Sequence, residues 1–148
     1  MLSFGQVYWK RGITKNKSPE NHFIVVLGVE PKSKSVIYQT LSSKLCHVFH
    51  FPKEKLPRID VDSVSFLNYR KYKFLDRDTC LMMFYGVAKE NQSVFEYNVE
   101  NKRYILKGEL TEDNKKTLIL ILRCATEYRL TKSERELIFK HYSSTRTT

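Results

Sequence analysis

The sequence predicts a mainly β fold of the α+β class: a small barrel or strongly bent antiparallel sheet, followed by one long and one shorter C-terminal helix. Three observations carry this reading. Short runs rich in β-branched and aromatic residues, bounded by Gly, Pro or polar residues, fill most of residues 1–107. Two of them, Phe23–Leu27 and Ser35–Leu41, flank the turn Glu30-Pro31-Lys32-Ser33-Lys34, which is short enough for an antiparallel hairpin. From Thr111 onward the apolar spacing changes to that of a helix. At 148 residues the chain suits a single domain with a real core.

The first run is Gly5-Gln6-Val7-Tyr8-Trp9. A polar loop follows, with Lys10, Arg11, Lys15 and Lys17 against one acid, Glu20, and with Gly12, Asn16 and Pro19 interrupting regular structure. It reads either as a flap over a phosphate backbone or as a plain hairpin loop. Phe23-Ile24-Val25-Val26-Leu27 does not alternate and is expected to be buried on both faces. The third run ends in Thr40, Ser42, Ser43 and Lys44.

Leu45–Phe51 reads as a structural strand. Cys46, His47 and His50 lie within it, but His47 and His50 would point to opposite faces, so no metal site is expected. Pro52 and Pro57 bracket a loop, and Asp60–Phe66 alternates weakly, as a short strand. In Asn68-Tyr69-Arg70-Lys71-Tyr72-Lys73-Phe74, cations interleave with aromatics. Read as a strand, this segment is either a stacking and phosphate surface for single-stranded nucleic acid or an amphipathic edge. Thr79–Tyr85 reads as a central strand covered on both faces. Val94–Tyr97 and Arg103–Leu106 each fit a short strand or the first turn of a helix.

Thr111 is a candidate N-cap, with Glu112 and Asp113 in the first turn, where carboxylates meet the helix dipole. Leu118, Leu122 and Ala125 recur at helical spacing behind it. Thr131-Lys132-Ser133-Glu134 has the spacing of a capping box and opens a second helix through about His141, so that helices occupy 111–142 and residues 143–148 fray.

The formal net charge of +10, from 26 Lys+Arg against 16 Asp+Glu, favours a polyanionic partner. No apolar run is long enough to span a membrane, and Met1–Phe4 has no basic region followed by a long apolar core, so neither a membrane nor a secretory location is expected. Three widely spaced cysteines, Cys46, Cys80 and Cys124, argue against a disulfide framework and for a reducing, cytoplasmic setting. No phosphate-binding Gly-rich loop, metal signature or nucleophile motif is present, and no cofactor is expected.

Several segments together resemble the MazF/PemK-like toxins. Gly5-Gln6-Val7-Tyr8-Trp9 is similar to their opening strand, and His22-Phe23-Ile24-Val25-Val26-Leu27 to their second, with His-Phe in place of Arg-Pro. Tyr38-Gln39-Thr40-Leu41-Ser42-Ser43 resembles their third strand, Phe74–Thr79 a later one, and Lys107-Gly108-Glu109-Leu110-Thr111-Glu112 the opening of their last helix. The resemblance implies an SH3-like β-barrel, a homodimer, a cognate antitoxin, largely acidic, and metal-independent cleavage of single-stranded RNA. It also implies that His22, at the family's Arg position, and Thr40 or Ser42, at its hydroxyl position, line the catalytic site.

The residues themselves add geometry. A hairpin sets the start of one strand opposite the end of its partner, so His22 and the group from Thr40 to Lys44 belong near each other. Imidazole suits proton transfer near neutrality, but it is not the fixed cationic fork that Arg offers to phosphate. His22 also fits the role of a strand-end residue bonded to backbone. Trp9, Lys10, Arg11, Lys15, Lys17, Ser43, Lys44, Arg70 and Lys71 are the candidate RNA contacts. A basic barrel that binds nucleic acid without cutting it, and a phage or defence protein that binds an acidic protein, are the competing readings.

Overall fold

The structure, a computed structural model, describes residues 2–11, 22–42, 64–67, 69–75, 79–82, 87–124 and 131–146. Among the described residues seven strands and three helices follow one another: β1 (Gln6–Lys10), β2 (His22–Glu30), β3 (Ser35–Ser42), β4 (Val64–Leu67), β5 (Thr79–Met82), β6 (Ala88–Asn91), α1 (Gln92–Glu100), β7 (Tyr104–Glu109), α2 (Glu112–Cys124) and α3 (Lys132–Arg146). The principal sheet is antiparallel, with five strands in the order β6-β3-β2-β1-β7. The first half of β3 pairs with β6, and its last residues, Leu41 and Ser42, pair with β5, which carries β4.

This is a mixed α/β fold and not the closed, SH3-like barrel expected from the sequence. Its strand order ends in β4 on one side and β7 on the other, and among the described residues these two do not pair. The physical reason is that helices cover both faces of the open sheet. On one face Val7, Val25, Leu27, Ile37 and Leu41 pack with Leu118 and Ile119 of α2 and with Ile138 and Tyr142 of α3. On the other, Tyr8, Ile24, Val26, Val36 and Tyr38 pack with Phe95 of α1 and with Tyr104. Ile24, Val25, Val26 and Leu27 are each 0% exposed, as a non-alternating strand requires.

The expected pair of one long and one shorter C-terminal helix is also corrected. Within the described residues α2 has 13 residues and α3 has 15, and a third helix, α1, falls inside the mostly β region 1–107, at Val94–Tyr97, where the sequence fitted either a short strand or the start of a helix. Val94, Phe95, Tyr97 and Val99 have strand-like propensity, yet the Asn91 side chain caps α1 by accepting from the backbone N–H groups of Ser93 (2.9 Å) and Val94 (3.4 Å). Burial of Phe95 against three tyrosine rings then outweighs propensity.

The segment read as an edge strand around Arg70 is a 3₁₀ turn, Tyr69–Lys71. The Tyr72 hydroxyl ties it to the start of α2, donating to Asn114 Oδ1 (2.6 Å) and accepting from the Thr111 N–H (3.0 Å). Thr111 also caps α2 through the Asn114 N–H (3.3 Å), and Thr131 caps α3 reciprocally with Glu134. The expected strand at Leu45–Phe51 lies outside the described residues.

Candidate functional site

Antiparallel pairing gathers the end of β1, the start of β2, the end of β3 and the start of β7 at one end of the sheet. Lys10 is the direct partner of His22 on one side and of Tyr104 on the other. Direct partners share a face, so these three side chains form a row. Thr40 is the partner of Ile24, two residues along from His22, and stands on the same face at the diagonal spacing of roughly 7–8 Å. The proximity expected of His22 and Thr40 is therefore present. Ser42 ends β3 and pairs with Cys80 of β5. Ser43, Lys44, Lys15 and Lys17 lie outside the described residues.

The Lys10 ammonium donates to the Tyr38 hydroxyl (3.0 Å) and sits over two rings, 5.2 Å from the Tyr38 centroid and 5.6 Å from that of Tyr104. Such rings attract a cation by their quadrupoles and hold it in place. Tyr104 donates to Glu90 Oε2 (2.7 Å), and Asn98 Nδ2 donates to Glu90 Oε1 (3.1 Å), so both carboxylate oxygens are engaged. Burial first, and the Glu90 carboxylate second, push the Tyr104 phenol well above its ordinary acidity range, so it remains a donor. The Arg11 N–H bonds the Arg103 carbonyl (2.9 Å), which brings two exposed arginines to the same sheet end.

Trp9 is on the opposite face. Its ring lies 4.5 Å from Phe23, Phe23 lies 5.5 Å from Phe74, and Phe74 lies 5.5 Å from Tyr72. This file of rings, half-buried at Trp9, Phe23 and Phe74 and buried at Tyr72, leads from the strand ends to the 3₁₀ turn, where Arg70 and Lys71 are exposed. Arg70 and Lys71 are thus separated from the Lys10–His22 row by the thickness of the sheet.

Sequence reading missed Tyr38, Glu90, Asn98, Arg103 and Tyr104. The available signal was the phase of Tyr38 with Thr40 and of Tyr8 with Lys10, each two residues apart in a strand. Tyr104 and Glu90 had none, because the pairing of β7 with β1 and of β6 with β3 is non-local.

Among the described residues no three His, Cys, Asp or Glu side chains come together as metal ligands, and no helix is long and apolar enough to cross a membrane. The sequence matches no protein-family model and no curated protein. Chemically, the sheet end offers an ammonium held in place by aromatic rings, two guanidinium groups, an imidazole and a hydroxyl: donors for a phosphate beside a group able to exchange a proton.

Proposed function

We propose that this sheet end binds single-stranded RNA and cleaves it by attack of the 2′-OH. The observation that carries the reading is the pairing of Lys10 with His22, with Thr40 diagonally beyond on the same face. His22 takes the 2′-OH proton, and the 2′-oxygen forms its bond to phosphorus as the P–O5′ bond breaks. Water protonates the released 5′-oxygen, leaving a 2′,3′-cyclic phosphate and a 5′-OH. Lys10, Arg11 and Arg103 supply the positive charge that the phosphorane needs. The side chains provide both proton acceptor and charge, so the proposed step calls on no metal ion. The resemblance to MazF/PemK-like toxins extends the proposal to a cytoplasmic toxin, homodimeric and neutralised by a small acidic antitoxin. The net charge of +10 fits both RNA and such a partner.

A second reading, RNA binding without cleavage, draws on the Trp9–Phe23–Phe74 rings and the exposed Arg70 and Lys71, which offer stacking and phosphate contacts with no proton-transfer group among them. Incubation of the pure protein with a long RNA in EDTA separates the two. Discrete fragments ending in 2′,3′-cyclic phosphate support the ribonuclease. Intact RNA that shifts on a native gel supports the binding module, and intact, unshifted RNA rejects both.

A further inference from the structure

Among the described residues, Lys34 and Lys102 have positive φ without being glycine, at +52° and +59°. This is the left-handed region, where an L side chain crowds its own backbone and glycine or asparagine is the usual occupant. Lys102 stands directly behind α1. Its N–H donates to the Val99 carbonyl (3.1 Å), and the Arg103 N–H donates to the Asn98 carbonyl (2.8 Å). These two bonds close the helix in the form that takes a left-handed residue at position 102. Asn101, a residue better suited to that conformation, lies one position earlier with φ −89°.

The chain therefore carries a lysine where its backbone favours glycine. A backbone outlier of this kind points to a use for the side chain. Lys102 and Arg103 are exposed, and neither has an ion pair among the described residues.

The turn is tied to the site already described. Asn98, whose carbonyl accepts from Arg103, donates through its side chain to Glu90, and Glu90 also holds Tyr104. The Arg103 carbonyl accepts from the Arg11 N–H (2.9 Å), one step beyond the Lys10–Tyr104 pair. Lys10, Arg11, Lys102 and Arg103 are thus gathered at one sheet end. Glu90 is engaged at both oxygens, and Glu100, two residues before Lys102, makes no ion pair with it. Four cations so placed favour an anion that carries several charges. A structural role predicts something else: a cation behind a helix C-terminus gains from the helix dipole, so its removal would cost stability.

We propose, on the reading that this sheet end binds RNA, that Lys102 contacts a phosphate flanking the scissile one, so that the strand runs from Lys10 along the α1–β7 turn.

Fluorescence anisotropy of the full chain with a labelled single-stranded 2′-O-methyl RNA, which lacks the attacking hydroxyl, tests it across a range of salt, alongside urea unfolding. Lys102→Gly is expected to unfold at the native urea concentration or higher, because glycine accepts the left-handed conformation. The same variant is expected to bind roughly fivefold more weakly near 0.1 M salt, with a log–log slope lower by about 0.7. Lys102→Arg keeps the native affinity and slope. Lys34→Gly makes the same backbone change at the other end of β3 from Thr40, and it leaves RNA binding unchanged. If the native protein binds RNA, native affinity and slope in Lys102→Gly would overturn this proposal alone. An equal loss in Lys34→Gly, or a lower urea midpoint in Lys102→Gly, would do the same. A native protein that does not bind the RNA would overturn the underlying reading as well.

Discussion

Lys10 and His22 face each other across the β1–β2 ladder, and Lys10 is held from behind by Tyr38 and Tyr104. This makes Lys10 a positioned cation. Lys10→Met should weaken RNA binding and lower the log–log salt slope by roughly 0.7, the value of one lost phosphate contact on a single strand. Adding Arg11→Ala and Arg103→Ala should lower the slope further by similar steps. Salt-dependent fluorescence anisotropy measures it, and a slope that stays constant through all three substitutions would place the phosphates elsewhere.

The support beneath that cation is Phe95, which is 0% exposed and meets the rings of Tyr8, Tyr38 and Tyr104 at centroid distances of 5.3, 6.2 and 4.9 Å. Phe95→Ala leaves a cavity between α1 and the sheet and should cost about 3–5 kcal/mol in urea unfolding. A loss below about 1 kcal/mol would mean that α1 is not fixed to this face.

Gly5 has φ +92°, and a Cβ placed there would lie 2.7 Å from Cε of Lys115. Lys115 is 7% exposed, and its ammonium is bonded to Glu109 (3.0 Å) and paired with Glu112 (3.5 Å), so the side chain has little freedom to give way. Gly5→Ala should therefore destabilise by about 1–3 kcal/mol. Combining it with Lys115→Ala removes the clash but not the backbone strain. A Gly5→Ala protein as stable as the native one would remove the strain argument.

His141 gives a pH dependence. Its proton affinity is lowered in the folded state by burial, with the bond to the Leu2 backbone opposing as a smaller effect. Below its ordinary value of 6.5 the unfolded chain therefore binds the proton more readily than the fold does. The contribution of His141 to stability is complete above that pH and is lost as pH falls through the lower folded value. His141→Gln should flatten the stability–pH profile in the interval just below 6.5. An unchanged profile would show that the ring is not the group responsible.

Much of the central sheet was legible because local chemistry determined it. The non-alternating Phe23–Leu27 run gave a doubly buried strand, the Pro31 turn gave its hairpin, and Thr111 and Thr131 gave the helix starts. The barrel expectation failed at α1, where Val94, Phe95 and Val99 fit strand propensity and only the Asn91 cap and the tyrosines around Phe95 decide for a helix. Half of the candidate site was legible for the same reason: Lys10, His22 and Thr40 follow from the register of adjacent strands. Tyr104 and Glu90 come from strands distant in sequence, which periodicity within a short window does not connect.

The central claim is that His22 moves the proton during RNA cleavage, and cleavage rates of His22→Ala and His22→Arg on one defined RNA test it most directly. A general base contributes roughly 10²- to 10⁴-fold, so His22→Ala should lose about that much in rate while binding falls far less. His22→Arg should be nearly as poor, because a guanidinium does not deprotonate in proteins. Unaltered cleavage in both variants, with circular dichroism showing the fold intact, would contradict the account and leave His22 as a strand-end residue.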